Sequence, residues 1–137
     1  MRRAAILVAL ALMTAPAGAD ETARKAAREA ITRQIEALRR GYPAGAYAEA
    51  APQIRSLFPS PETFLAMVEK GYAAIRRPRS YRFDTAEEAG EDEIAQQVSL
   101  QDEAGVDWVA LYTLHRQEDG QWRITGCQLR KAPGETI

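Results

Sequence analysis

Two short turns constrain this chain more than any other feature: Asp102-Glu103-Ala104-Gly105 and Gln117-Glu118-Asp119-Gly120. Each suits a type I turn closed by glycine in the left-handed conformation, a loop that fixes which residues face each other across it. The first pairs Asp102 with Val106, and the second pairs Gln117 with Gln121. Counting inward, Leu114 falls opposite Ile94 and Ile124, and Tyr112 opposite Gln96 and Gly126. Ala110 then meets Val98, and Trp108 meets Leu100. In this register the large apolar residues share one face. A slip of one residue would scatter them over both faces, so burial favours the count. Tyr81 and Phe83, alternating with Arg82, add a short strand ahead of these three. The five acids within Glu87 to Glu93 read as a solvated loop between the first strand and the second.

The half before the sheet has a helical period. Ala23, Ala27, Ile31, Ile35 and Leu38 recur at three-to-four spacing from Glu21 to Arg40, and Gly41 with Pro43 ends that run. Ala44 to Ala51 predicts a short helix, and Pro52 to Phe58 another turn or two. Ser60-Pro61-Glu62 then combines a capping serine, proline in the first helical position and an acid in the first turn. The helix it opens carries Phe64, Leu65, Val68, Tyr72 and Ile75 along one side until Pro78 stops it. Helices followed by an antiparallel run of four strands predict an α+β domain with the helices on one face of the sheet.

The chain opens with Met1-Arg2-Arg3, an apolar run from Ala4 to Met13, and the small-residue pattern Ala17-x-Ala19. This is the layout of a secretory signal peptide over residues 1–19, cleaved before Asp20. The run is too short to span a bilayer core of about 30 Å. The expectation is therefore a periplasmic or secreted protein with no membrane span after cleavage. Residues 20–132 form its single domain, and residues 133–137 a flexible tail. With 18 Lys and Arg against 19 Asp and Glu, the balance speaks against nucleic acid as a partner. One Cys and one His exclude a disulfide framework and a zinc site built from those residue types, and no cofactor is expected.

Within the apolar face the polar exception is Gln96 beside Tyr112, with Gly126 leaving space over the ring. A buried amide and phenol need partners, so they either bond each other or water, or act as polar handles of a cavity. Tyr72 and Tyr81 are further candidates for lining that space. The opposite face places Val109, Leu111, Cys127 and Leu129 together, an apolar cluster that suits a homodimer interface or cover by the chain's own helix or tail. An acid–base enzyme would need a carboxylate or His inside. Asp84 and Asp107 fall at strand ends, and His115 falls on the outer face opposite Arg123. The four arginines of 76–82 read as helix-end caps that pair with the acids at 87–93, or as an anion patch. Asp102, Glu103 and Asp107 read as turn residues rather than a calcium loop. Cys127 reads as an inert thiol.

Several stretches resemble a family of exported bacterial proteins known as domain of unknown function 4864. They are Phe58-Pro59-Ser60-Pro61, Met67-Val68, Gly71-Tyr72, Pro78-Arg79-Ser80-Tyr81, Gln97-x-Ser99-x-Gln101-Asp102 and Trp108-x-Ala110-x-Tyr112. The closing Asp119-Gly120-x-Trp122-x-Ile124-x-Gly126-Cys127 belongs to the same resemblance. Its Asp-Gly-x-Trp-x-Ile core is also similar to the last hairpin of the superfamily resembling nuclear transport factor 2. That resemblance implies a cystatin-like cone, with helices packed into the concave face of a curved antiparallel sheet around a cavity. It also implies frequent dimerisation through the outer sheet face. Members include isomerases, dehydratases and cyclases beside non-enzymatic binding domains, so the fold transfers no catalytic residue. The reading that follows is a non-enzymatic module for a small apolar or amphipathic ligand. The alternatives are a dimerisation or assembly domain working through the outer face, and an isomerase- or cyclase-like acid–base enzyme.

Overall fold

The computed structural model describes residues 17–133, with side chains from residue 21. Residues 1–16 of the expected signal peptide and 134–137 of the expected tail lie outside the described residues. Five helices, α1 (Ala17–Arg39), α2 (Pro43–Ala48), α3 (Pro52–Arg55), α4 (Pro61–Gly71) and α5 (Ala73–Arg76), precede four strands. The strands are β1 (Ser80–Gly90), β2 (Glu93–Gln101), β3 (Asp107–Arg116) and β4 (Trp122–Lys131), an antiparallel sheet in the order β1-β2-β3-β4. No helix among the described residues is long and apolar enough to cross a membrane.

Helix α1 buries Ala27, Ala30, Ile31, Ile35, Ala37 and Leu38, the stripe expected from its period, against the inner face of the sheet. Ser60 caps α4 by accepting the Thr63 N–H at 3.2 Å. The single helix expected after Ser60 is instead broken at Tyr72, whose φ of −137° interrupts the helical backbone. The break aims the Tyr72 hydroxyl at β4, where it donates to the Cys127 carbonyl at 3.2 Å.

Both counted hairpins form. Gly105 and Gly120 have φ of +82° and +83°, and Asp102 and Gln117 donate their N–H groups to the Val106 and Gln121 carbonyls. The Asp102 carboxylate holds the first turn by accepting from the Ala104 and Val106 N–H groups and the Trp108 indole. From Leu100 with Trp108 to Ile94 with Leu114, the β2–β3 ladder keeps the expected register throughout. Two expectations fail at the sheet's margins. The acidic stretch 87–93 is largely strand, because β1 runs on to Gly90 and turns tightly through Glu91 and Asp92. In β4 a bulge inserts one residue after Ile124, so Thr113 faces Gly126 and Tyr112 faces Cys127.

The bulge reverses the facing of the rest of β4. Cys127 and Leu129 turn inward and pack against the core, while Gln128 and Arg130 take the outer positions opposite Leu111 and Val109. Of the outer-face cluster expected from Val109, Leu111, Cys127 and Leu129, only Val109 and Leu111 therefore lie on that face. Leu111 is 40% exposed there.

The β4 edge is covered by the α2–α3 junction, where Ala51 donates to the Ile124 carbonyl at 2.8 Å and Ile124 donates to the Glu49 carbonyl at 2.9 Å. Buried Glu49 takes a two-pronged Arg33 at 2.7 and 3.2 Å and Arg123 at 3.4 Å. That hydrogen bonding raises the Arg33 pKa above its ordinary value. The cluster ties α1, the α2–α3 junction and β4 together. Glu49→Ala is expected to cost about 2 kcal/mol, below the usual toll for breaking a buried pair because half-exposed Arg33 can turn to water. Denaturant unfolding checks it.

Candidate functional site

Between the helices and β4 lies a cavity of about 370 Å³. Leu38 of α1, Ile54 of α3, Phe64, Met67 and Val68 of α4, and Ile75 of α5 form most of its wall. The β4 side is Ile124, Gly126 and Cys127, and Gln34 of α1 supplies the amide. The wall is held by specific bonds. Tyr47 directs its hydroxyl at the Phe58 and Arg55 carbonyls, at 2.7 and 3.0 Å, and so fixes the loop that carries Phe58. Phe58 and Tyr47 both pack on Phe64, with ring centroids 5.9 and 5.8 Å apart. The Tyr72 bond to the Cys127 carbonyl ties the helical side to the strand side.

Of the residues expected in the site, Tyr72 and Gly126 line this cavity. Gln96 and Tyr112, 0% and 1% exposed, lie beneath it in the core rather than in its wall. They do not bond each other. The Gln96 amide nitrogen donates to the carbonyls of Asp84, Thr85 and Gln97, at 3.1, 3.4 and 2.8 Å, the first two of which a bulge in β1 takes out of the ladder. The Gln96 Oε1 has no hydrogen-bond partner, and the Tyr112 hydroxyl meets only the weakly bonding Cys127 thiol. Gly126 does not open space over the Tyr112 ring. A Cβ there would point outward and meet Thr113 Oγ1 at 3.0 Å. The neighbour of Tyr112 is Cys127. Tyr81 is also out of place: its hydroxyl donates to Glu36 at 2.9 Å, at another part of the α1 surface.

The sequence reading missed Gln34, Leu38, Ile54, Phe58 and Met67, because strand alternation reports only the sheet's half of a cavity. A signal for the β4 bulge was present. The apolar positions run even at Trp122 and Ile124, then odd at Cys127 and Leu129, with glycine at the change.

Among the described residues no charged side chain lines this cavity. Asp84 lies on the outer face, where Ser99, Arg82 and Gln97 bond its carboxylate and hold it below the ordinary carboxylate range despite partial burial. Asp107 is exposed at the start of β3. Two of the four arginines of 76–82 are bound elsewhere than at the acids of 87–93. Arg76 turns inward to the Leu38 carbonyl at the end of α1 and to Glu69, and Arg82 pairs with Asp84. Burial pushes the Cys127 thiol up to about 12, and pushes the Tyr112 phenol well above its ordinary value. Both stay protonated at any physiological pH. They are poor nucleophiles and poor bases.

Residues 20–137 match the model of the domain of unknown function DUF4864. The chain belongs to this family. Two solved structures place the DUF4864 domain among known folds. An NTF2-like protein of unknown function from Shewanella baltica OS155 is 12% identical, with a TM-score of 0.56 over 83% of this chain and 97% of that one. A domain of unknown function with a cystatin-like fold from Nostoc punctiforme PCC 73102 is 17% identical, with a TM-score of 0.57 over 85% and 80% of the two chains. At these identities the likeness is one of fold, and the fold is the expected α+β architecture. Comparison with curated proteins gives no match.

Proposed function

We propose that this DUF4864 protein is a non-enzymatic binding module whose cavity takes a small apolar or amphipathic ligand, and that it works in the periplasm or outside the cell. The observation that carries the reading is a cavity of about 370 Å³ with a mostly apolar wall and a single amide, Gln34. Sites for small molecules have this design, an apolar body with a few placed polar groups. Export is supported by the Arg2-Arg3 start, the apolar run and the Ala17-x-Ala19 motif. An acid–base reaction has less support, since the candidate carboxylates Asp84 and Asp107 lie away from the cavity. Assembly through the outer sheet face rests on Val109 and Leu111 only.

Native mass spectra of the protein purified from the periplasm test these readings together. A polypeptide beginning at Asp20 and carrying a small adduct is expected. A polypeptide with intact Met1 would overturn cleavage before Asp20, and absence of the protein from the periplasmic fraction would overturn export. A dimer without adduct would overturn the ligand reading in favour of assembly.

A further inference from the structure

We infer that the ligand of this cavity is an uncharged, hydroxyl-bearing apolar molecule, an alcohol or a phenol, whose hydroxyl is held by Gln34. The inference rests on the binding reading above and narrows its chemistry.

The polar groups of the wall decide the head of the ligand. Gln34 donates from Nε2 to the Ala46 carbonyl at 3.2 Å, which fixes the amide orientation, since a reversed amide would set two oxygens against each other. Its Oε1 accepts no bond from any described residue, and its second N–H is free for a ligand. One acceptor beside one donor is the complement of a hydroxyl, which both gives and takes a hydrogen bond. A carboxylate or phosphate only accepts, and none of the described residues in the wall is charged to pair with it. Burying such an anion here would leave it without compensation. Tyr72 commits its proton to the Cys127 carbonyl, and Cys127 remains a neutral thiol, so neither supplies a positive charge.

The body of the ligand follows from the wall and the volume. The cavity of about 370 Å³ equals the space of about twelve waters at roughly 30 Å³ each, which suits an apolar body of about a dozen non-hydrogen atoms. A hydrocarbon of that size would fit the wall. It would also leave Gln34 Oε1 shielded from water without a donor, the more costly half of a missing hydrogen bond.

Calorimetric titration of the purified protein at pH 8 with 4-butylphenol, butylbenzene and 4-butylbenzoate tests this. The phenol should bind about tenfold more tightly than butylbenzene, the difference one hydrogen bond makes. The benzoate should bind at least a hundredfold more weakly than the phenol. In Gln34→Met the ratio of phenol to butylbenzene affinity should fall from about ten to about one. Equal binding of phenol and butylbenzene, or benzoate binding as well as either, overturns the hydroxyl inference and leaves an apolar site standing. If none of the three binds, the binding reading falls and the inference with it. A phenol preference that survives in Gln34→Met overturns the assignment to that residue. The comparison on the unaltered protein stands even where the variant folds poorly.

Discussion

Gln96→Leu is expected to destabilise the protein by about 2 kcal/mol, and Tyr112→Phe, its neighbour across the ladder, to stabilise it by about 1 kcal/mol. The opposite signs follow from what each polar group does in the core. Gln96 is fully buried, and its amide nitrogen serves the carbonyls of Asp84 and Thr85 where the β1 bulge takes them out of the ladder. Leucine fills the same space and leaves those carbonyls without a donor. Removing the unpartnered Gln96 Oε1 returns part of that loss, which keeps the figure moderate. The Tyr112 hydroxyl is buried beside the Cys127 thiol, a weak hydrogen-bonding partner, and meets no oxygen or nitrogen, so phenylalanine removes a desolvated group with little hydrogen bonding to lose. Denaturant unfolding of both variants measures the difference directly. A destabilised Tyr112→Phe would mean that the phenol is satisfied within the core. A neutral Gln96→Leu would mean that the bulge carbonyls find water instead.

How much of this could be read in the sequence depended on whether local chemistry fixed the geometry. Gly105 and Gly120 lock their turns in left-handed backbone, so the β2–β3 register could be counted residue by residue. The α1 stripe and the Ser60 cap were legible for the same reason. The bulge in β4 was not counted, although the apolar pattern changes parity at Gly126. That one residue moved Cys127 from the outer face to the cavity wall and turned Leu129 inward against the core. Glu49 could not be found at all. Its partners Arg33 and Arg123 lie on α1 and β4, and only the folded chain brings the three together. The same holds for Gln34. On a helical wheel it falls within the buried stripe of α1, and nothing local says that its amide meets a cavity rather than a packed core.

Met67→Trp is expected to abolish ligand retention, weakening binding at least tenfold, while stability changes by about 1 kcal/mol or less. Met67 sits on α4 between fully packed Phe64 and the break at Tyr72. It is only partly buried, and it faces the cavity beside Val68. An indole there extends into space that no core side chain occupies. It removes volume from the ligand without compressing Ile31, Ile35 or Leu114, which carry the packing between α1 and the sheet. Leu111→Trp, on the outer face, adds the same ring to a surface unconnected with the cavity and should leave retention unchanged. The readout is the adduct in native mass spectra of each variant from the periplasm. Retention by Met67→Trp would place the ligand elsewhere on the molecule. Loss from Leu111→Trp alone would move the working surface to the outer face of the sheet. The expected pattern, loss from the cavity variant only, ties the bound molecule to the wall that Gln34, Met67 and Cys127 share.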